Sequence, residues 1–510
     1  MEVAPATDRR IPRLAPGAVA ETLLGVAPDR DERASQLCVE TLLTLSQNGY
    51  GAPAESDGLR SPKRERFAVR SLALGVNFLE LVEEGRAGDE QTSPQRYGEQ
   101  LAAGGDMRGS ANLSLARDAL EGLVDPETSQ GQAGGWLLLP FHESLLWYDA
   151  RRGRNRPWGV RKVYMRGSGI TLARMLASPP GGGEAARLGP EAVDAIRETL
   201  QAPSPVARIA DTLESALPAP SEHRLEDDER DAWARGGEES LAEFAERLCR
   251  HSEGVMRQGT ASGPARLWQL RTVLALDLAV HALRASWDAT EVASERRFLL
   301  LSFGGPPRAE NRLRQRSEEV FRQSRLTLRL ATAQTLARRM SELANEDGVD
   351  WDEELANRRE RLTPVIEELR RAQDSEDFQR VARLAAETAD YGRPSEGFRV
   401  LLQTIGMLTG TGRYRYLTAT PDLLAALVGA LSAEMPMSSA RFFERLYEEW
   451  GLLVGQEEAA ATALAGEVDG AELARNARRA EQRMADAGLA LGLSDRTVVV
   501  GERARRGALA

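Results

Sequence analysis

Between Arg308 and Arg339 the chain carries nine arginines against three acids (Glu310, Glu318 and Glu319), so this stretch holds +6 inside a protein of net charge −11. Arg308, Arg312, Arg316, Arg322, Arg325 and Arg329 recur at helical spacing. At about 100° per residue they sweep a wide arc opposite Leu313, Val320, Ser324, Leu328 and Ala331. Guanidinium forks one helical turn apart suit successive phosphates, or a partner surface lined with carboxylates. An exposed helix whose charges pair with the protein's own acids would carry the same pattern.

A second cationic run comprises Arg151, Arg152, Arg154, Arg156, Arg161, Lys162 and Arg166, with no acid between positions 151 and 166. Trp147, Tyr148, Trp158 and Tyr164 are interleaved with it. Cations that follow a backbone beside aromatic faces that stack bases are how single strands are held without sequence reading. The same composition also builds an ordinary strand pair. The loop Gly410-Thr411-Gly412-Arg413, leading into Tyr414-Arg415-Tyr416, is a smaller candidate of this kind.

Catalytic chemistry finds less support. Asp277 and His281 stand four apart on the most apolar helical run, on one face with Leu267, Leu270 and Leu274. A carboxylate that orients an imidazole belongs to catalytic triads and to the surroundings of metal ligands. It is also how a core helix satisfies two polar groups it buries. No nucleophile or ligand set accompanies the pair, so a structural pairing of Asp277 with His281 is the expectation. Cys249 and His251, two apart, point away from each other on a helix. The acids Asp347, Asp350, Asp352 and Glu353 depart from the spacing of a calcium loop. Cys38 and Cys249 lie in apolar helical contexts and read as buried thiols, neither a disulfide framework nor a zinc site.

Lysine is nearly absent. Of the 66 basic residues, only Lys63 and Lys162 are lysines, and neither ends a phosphate-cradling glycine loop. Arginine cannot replace lysine as a nucleophile, because its guanidinium stays protonated. The sequence also lacks Gly-x-Ser-x-Gly, His-Glu-x-x-His and Cys-x-x-Cys strings. No cofactor and no metal are expected, and the balance points away from an enzyme. A hydrolase built on carboxylates and His281 is the outlying alternative.

The elements that position these groups read as mainly α, in several units. Residues 1–90 form an N-terminal helical unit and 91–135 a linker. A small β-containing unit spans 136–178, with strand candidates at 136–140, 144–148 and 160–165 and a turn at 151–157. Residues 179–237 mix helix with a proline-rich acidic linker. A central helical domain covers 238–410, with a buried helix over Pro264–Trp287 and a long helix over Ala309–Leu343. Residues 411–510 form a C-terminal unit of three helices followed by short strands, the order of a winged helix. Arg271, Asp277 and His281 interrupt the most apolar run, so no membrane span is expected. The N-terminus has no basic segment leading into an apolar one, so a cytoplasmic location is expected.

The stretch Pro421-Asp422-Leu423-Leu424 through Arg441-Phe442-Phe443-Glu444-Arg445-Leu446-Tyr447-Glu448-Glu449-Trp450-Gly451 resembles segments of large, uncharacterised subunits from bacterial anti-phage defence clusters. That resemblance implies a non-catalytic subunit working beside a helicase, ATPase or nuclease on foreign DNA, and carries over no functional residue. The expectation is therefore a subunit that binds other proteins and nucleic acid, DNA in particular, through its arginine surfaces. A pure protein scaffold is the runner-up.

Overall fold

The computed structural model describes residues 13–26, 28, 32–47, 139–143, 146, 150–152, 158–160, 168–205, 238–259, 261–305, 308–346, 349, 351–354, 371, 378–388, 390–432, 435–494 and 497–501. Within them the protein is mainly helical. In chain order the elements are α1 (Pro16–Leu24), α2 (Ala34–Gln47), β1 (Ala150–Arg152), β2 (Trp158–Val160), α3 (Ser168–Ala177) and α4 (Ala185–Leu200). Then come α5 (Glu238–Met256), α6 (Gly263–Ala289), β3 (Leu299–Leu300), α7 (Arg312–Ala344), α8 (Phe378–Ala386) and α9 (Arg393–Thr404). The last are β4 (Leu408–Thr409), β5 (Tyr416–Leu417), α10 (Pro421–Ser432), β6 (Met437–Ser438), α11 (Ser439–Trp450), β7 (Leu452–Leu453), α12 (Gly470–Asp486), β8 (Ala490–Ser494) and β9 (Thr497–Val500).

Helix α6 is the axis of the molecule. Ser262 caps it by accepting from Ala265 N, and Pro264 occupies its first turn, where the missing N–H costs nothing. Its 27 residues are apolar around most of the circumference because α1, α2, α4, α5, α7, α9 and α10 all pack against it. Gly254 lets α5 approach α10 closely, since a side chain there would meet the Ala430 carbonyl oxygen at 2.4 Å. The largest apolar cluster runs from Leu37 on α2 through Leu274 on α6 to Leu427, Trp450 and Val500, so residues of both 238–410 and 411–510 enter it.

Helix α7, capped by Asn311 at Arg314 N, is 33 residues long, about 50 Å at 1.5 Å per residue. It crosses three apolar clusters in succession. Leu313 joins Leu300, Leu453 and Leu473; Phe321 and Leu328 join the main core; Leu336 and Met340 pack with Phe378, Val381 and Tyr391. Its buried side therefore rotates along its length.

Among the described residues there are four small sheets, of which β3–β7 and β6–β9–β8 join segments distant in sequence. β3 pairs with β7 in parallel, Leu299 opposite Leu452, and β4 pairs with β5 as a hairpin. The buried Ser317 hydroxyl on α7 donates to Leu300 O and accepts from Leu417 N, which joins β3 to β5. β6, β9 and β8 form an antiparallel sheet in that order.

The β-containing unit corrects part of the expected pattern. The hairpin exists, but its paired segments are 150–152 and 158–160, in register Arg151 opposite Gly159, rather than 144–148 and 160–165. Pairing starts next to the reversal because the turn fixes the register there. Leu139 and Pro140, expected in a strand, are irregular; a proline supplies no ladder N–H. Residues 136–138, 161–165 and the linker from 206 to 237 lie outside the described residues.

Candidate nucleic-acid interface

Helix α7 is not the bare cationic rail that its sequence suggests. Arg308 grips the buried Glu318 with Nη2 to Oε2 at 2.9 Å and Nε to Oε1 at 3.0 Å. Arg316 bridges Glu319 and Glu467, each at 2.6 Å. Arg325 and Arg329 both turn to Glu396 on α9, where Arg399 also binds. Burial pushes the Glu396 carboxyl up, but these three guanidiniums outweigh it and leave its pKa below the ordinary value. The reason is the rotating buried side of α7, which brings positions meant for solvent against α9 and the Glu467 loop. Of the six candidate arginines, Arg308 in the turn Arg308–Glu310 and five on α7, Arg312 and Arg322 stay exposed, with no acid or hydrogen-bond partner among the described residues.

Those two share one depression. Arg308, Arg312, Arg316 and Arg322 line an open hollow of about 430 Å³ together with the carboxylates of Glu318, Glu319 and Glu467. Next to it the β4–β5 hairpin presents Arg413 and Tyr414. The Arg308 guanidinium lies 4.5 Å from the Tyr414 ring centre and that of Arg413 lies 5.0 Å from it. Arg314 stacks 4.3 Å from the Tyr416 ring centre. Gly410 makes this hairpin loop: its φ is +91°, and a side chain there would meet Tyr414 O at 2.5 Å.

A third segment reaches the same region. Glu472, in the first turn of α12, accepts from Leu313 N at the start of α7; Arg312 precedes Leu313 in sequence, and Arg475 lies about one turn along α12 from Glu472. The inner side of α12 is held by the buried Asn476, whose amide donates to Leu301 O and Val454 O at 2.9 Å each while its Oδ1 accepts from Phe303 N at 2.8 Å. Arg479 donates to Gly304 O and Arg483 to Ala419 O. On the outer side Arg475 and Arg478 are exposed and, among the described residues, unpaired. Sequence reading missed them, although Ala471, Arg475, Arg478 and Gln482 repeat at helical spacing opposite Leu473, Asn476, Ala480 and Met484.

Of the hairpin candidates, Arg152 belongs to β1. Arg154, Arg156, Arg161, Lys162 and Arg166 lie outside the described residues, as does His223.

The buried histidines correct the expected Asp277–His281 pair. Asp277 instead accepts from His251 Nδ1 at 2.9 Å and from Trp450 Nε1 at 2.6 Å. On the other side of the imidazole, Nε2 stands 3.4 Å from Glu449 Oε2, and Arg445 and Arg250 also bind that carboxylate. Burial works against the His251 imidazolium, but Asp277 and Glu449 outweigh it and hold its pKa above the ordinary histidine value. Glu449 is pushed up by burial and pulled down further by His251 and Arg250, to about 2. His281 turns away to α1, with Nε2 donating to Leu24 O at 2.7 Å and its ring stacked 4.1 Å from Phe244. Because α6 is enclosed on all sides, residues 40° apart on it face different neighbours.

Burial, reinforced by Arg247 and Arg284, lowers the His281 pKa to about 4. The folded protein then binds fewer protons than the unfolded chain between pH 4 and 6.5, so stability rises with pH across that window. The contribution is complete above 6.5 and about 3 kcal/mol is lost as pH falls to 4, at 1.36 kcal/mol per unit. Urea unfolding from pH 7 to 4 should record this decline, flattened in His281→Gln; an equally steep decline in the variant would exclude His281 as its source.

Cys249 is pushed up to about 12 by burial and then by Asp277, and its thiol faces Met175 O, so it is an inert core group. Cys38 is buried as well. Among the described residues, no group of three or more His, Cys, Asp or Glu is arranged to hold a metal. Among them, too, no helix is long and apolar enough to cross a membrane. No protein family, curated protein or solved structure matches the chain.

Proposed function

We propose that this protein is a non-catalytic, DNA-associated subunit of a larger bacterial assembly, of the kind its α10–α11 resemblance implies in anti-phage defence. One observation carries the reading: exposed arginines with no acid partner among the described residues stand on three segments that touch one another. They are Arg312 and Arg322 on α7, Arg413 on the β4–β5 hairpin, and Arg475 and Arg478 on α12. On a chain of net charge −11, five exposed arginines left without an acid partner among the described residues, on segments in contact, suit a polyanion. The element order of 421–500 adds support. Apart from β7 and the single turn Gln456–Ala459 inserted between α11 and α12, the order helix, strand, helix, helix, strand, strand, with β6 beside β9, resembles that of a winged helix.

A protein-partner reading rests on a different feature. Leu326 and Leu330, one turn apart on α7, are 59% and 38% exposed, an apolar pair suited to another subunit. The two surfaces are compatible in one assembly. To separate them, the purified protein is titrated with a labelled random-sequence duplex at about 50 mM salt, where phosphate contacts are strongest. Retention that weakens steeply with salt is expected. Co-purification with a protein partner in preparations free of nucleic acid, with no duplex retained, would instead leave a scaffold.

A further inference from the structure

Resting on that reading, we propose that α12 is the element that reads sequence, laid in the major groove of duplex DNA with Arg475, Arg478 and Gln482 against the base edges. Its two sides divide the labour. Leu473, Asn476, Ala480 and Met484 are buried, and Asn476 fastens the helix to the backbone beyond β3 and β7. The outer stripe, Ala471, Arg475, Arg478, Gln482 and Ala485, is exposed.

The helix carries three acids, and each is committed: Glu472 to Leu313 N, Glu481 to the Ser439 hydroxyl and Asp486 to the Gln482 amide. No carboxylate on this helix is therefore left to neutralise Arg475 or Arg478. Arginine and glutamine are the side chains that bind guanine and adenine edges through paired hydrogen bonds. Alanines at both ends of the stripe keep the helix slim for a groove about 12 Å wide. Arg475 and Arg478 stand about 4.5 Å apart along the axis, close to one base step of about 3.4 Å. Arg312, beside the Glu472–Leu313 contact, would then meet a phosphate flanking the read bases and fix the register.

In one respect the unit differs from an ordinary helix-turn-helix. The connection from Gly451 to Asp469 is far longer than the usual turn of about three or four residues, because it holds β7 and the single turn Gln456–Ala459. That insertion joins α12 to β3, and so to the start of α7 with its phosphate-facing arginines.

Selection from a pool of duplexes with a randomised core tests the assignment, run on the full chain and on the double variant Arg475→Ala, Arg478→Ala. Thermal melting serves as a check that the variant folds, since neither side chain has a partner to lose among the described residues. The wild type is expected to enrich a motif of about four or five base pairs with two guanines no more than two steps apart. Changing either guanine should weaken binding about fivefold to a hundredfold. The double variant is expected to bind random duplex more weakly than the wild type but still measurably, through Arg312, Arg322 and Arg413, and to enrich no motif. Enrichment of the same motif by the variant would overturn the proposal, as would wild-type retention with no motif or a preference for single strands or RNA. If the wild type retains no nucleic acid at all, the DNA-associated function falls and this assignment falls with it.

Discussion

Replacing Arg312, Arg322 and Arg413 together with glutamine should lower affinity for random-sequence duplex DNA by about a hundredfold or more at 0.1 M salt. Each phosphate contact contributes a salt slope of about 0.9, equivalent to roughly eightfold at that concentration. The fold should not notice the change. All three side chains are exposed, none pairs with an acid among the described residues, and surface substitutions of this kind stay within about 0.5 kcal/mol each. Arg325→Gln with Arg329→Gln is the matched control. Those guanidiniums hold Glu396 on α9, so their loss should weaken the α7–α9 contact and leave DNA binding almost unchanged. Gel-shift titration with urea unfolding separates the two outcomes. A control pair that binds as poorly as the triple variant would mean that Arg325 and Arg329 also meet the DNA.

Asp277→Ala should cost about 3–5 kcal/mol of folding stability, the range for removing one partner of a buried ion pair. The substitution leaves the His251 imidazolium inside the protein with only Glu449, and it strips the Trp450 indole N–H of its acceptor. The three groups belong to α5, α6 and α11, so the damage falls on the junction that seats the C-terminal helices on the axis. The network also has a pH window of its own. Because His251 titrates above its ordinary value when folded, its contribution is complete below 6.5 and is lost as pH rises through the raised pKa. Because Glu449 titrates at about 2, its contribution is present above 4.5 and is lost as pH falls toward that value. The difference between wild type and Asp277→Ala should therefore be largest between about pH 4.5 and 6.5. Equilibrium unfolding in urea at pH 6 measures it; a loss under 1 kcal/mol would show that the network adds little.

Local signals made most of the helices readable. Apolar residues on nearly every face marked α6, helical spacing after the Gly304-Gly305-Pro306-Pro307 break marked α7, and Thr420-Pro421-Asp422 and Ser438/Ser439 marked the starts of α10 and α11. The three helices and the closing strand pair over 421–500 were legible for the same reason, whereas the two-residue strands β6 and β7 and the turn Gln456–Ala459 were not. Partner choice was not. Asp277 and His281 share a face by spacing, yet His251, dismissed on its own helix, takes the carboxylate from 26 residues away. Arg325 and Arg329 looked solvent-facing until α9 brought Glu396 to them across a gap of about 70 residues that no period records. The alternation along α12 was visible in principle. It carries fewer cations than α7, and only the three-dimensional accounting of which acids are already engaged makes its two arginines stand out.

The most direct test of the central claim is the dependence of the duplex-binding constant on salt, measured for the wild type and for the Arg312, Arg322 and Arg413 to glutamine variant. Plotted as logarithms, the variant's slope should be shallower by about 2.7, the counterion release of three lost phosphate contacts. Parallel lines would mean that this face does not meet the DNA backbone.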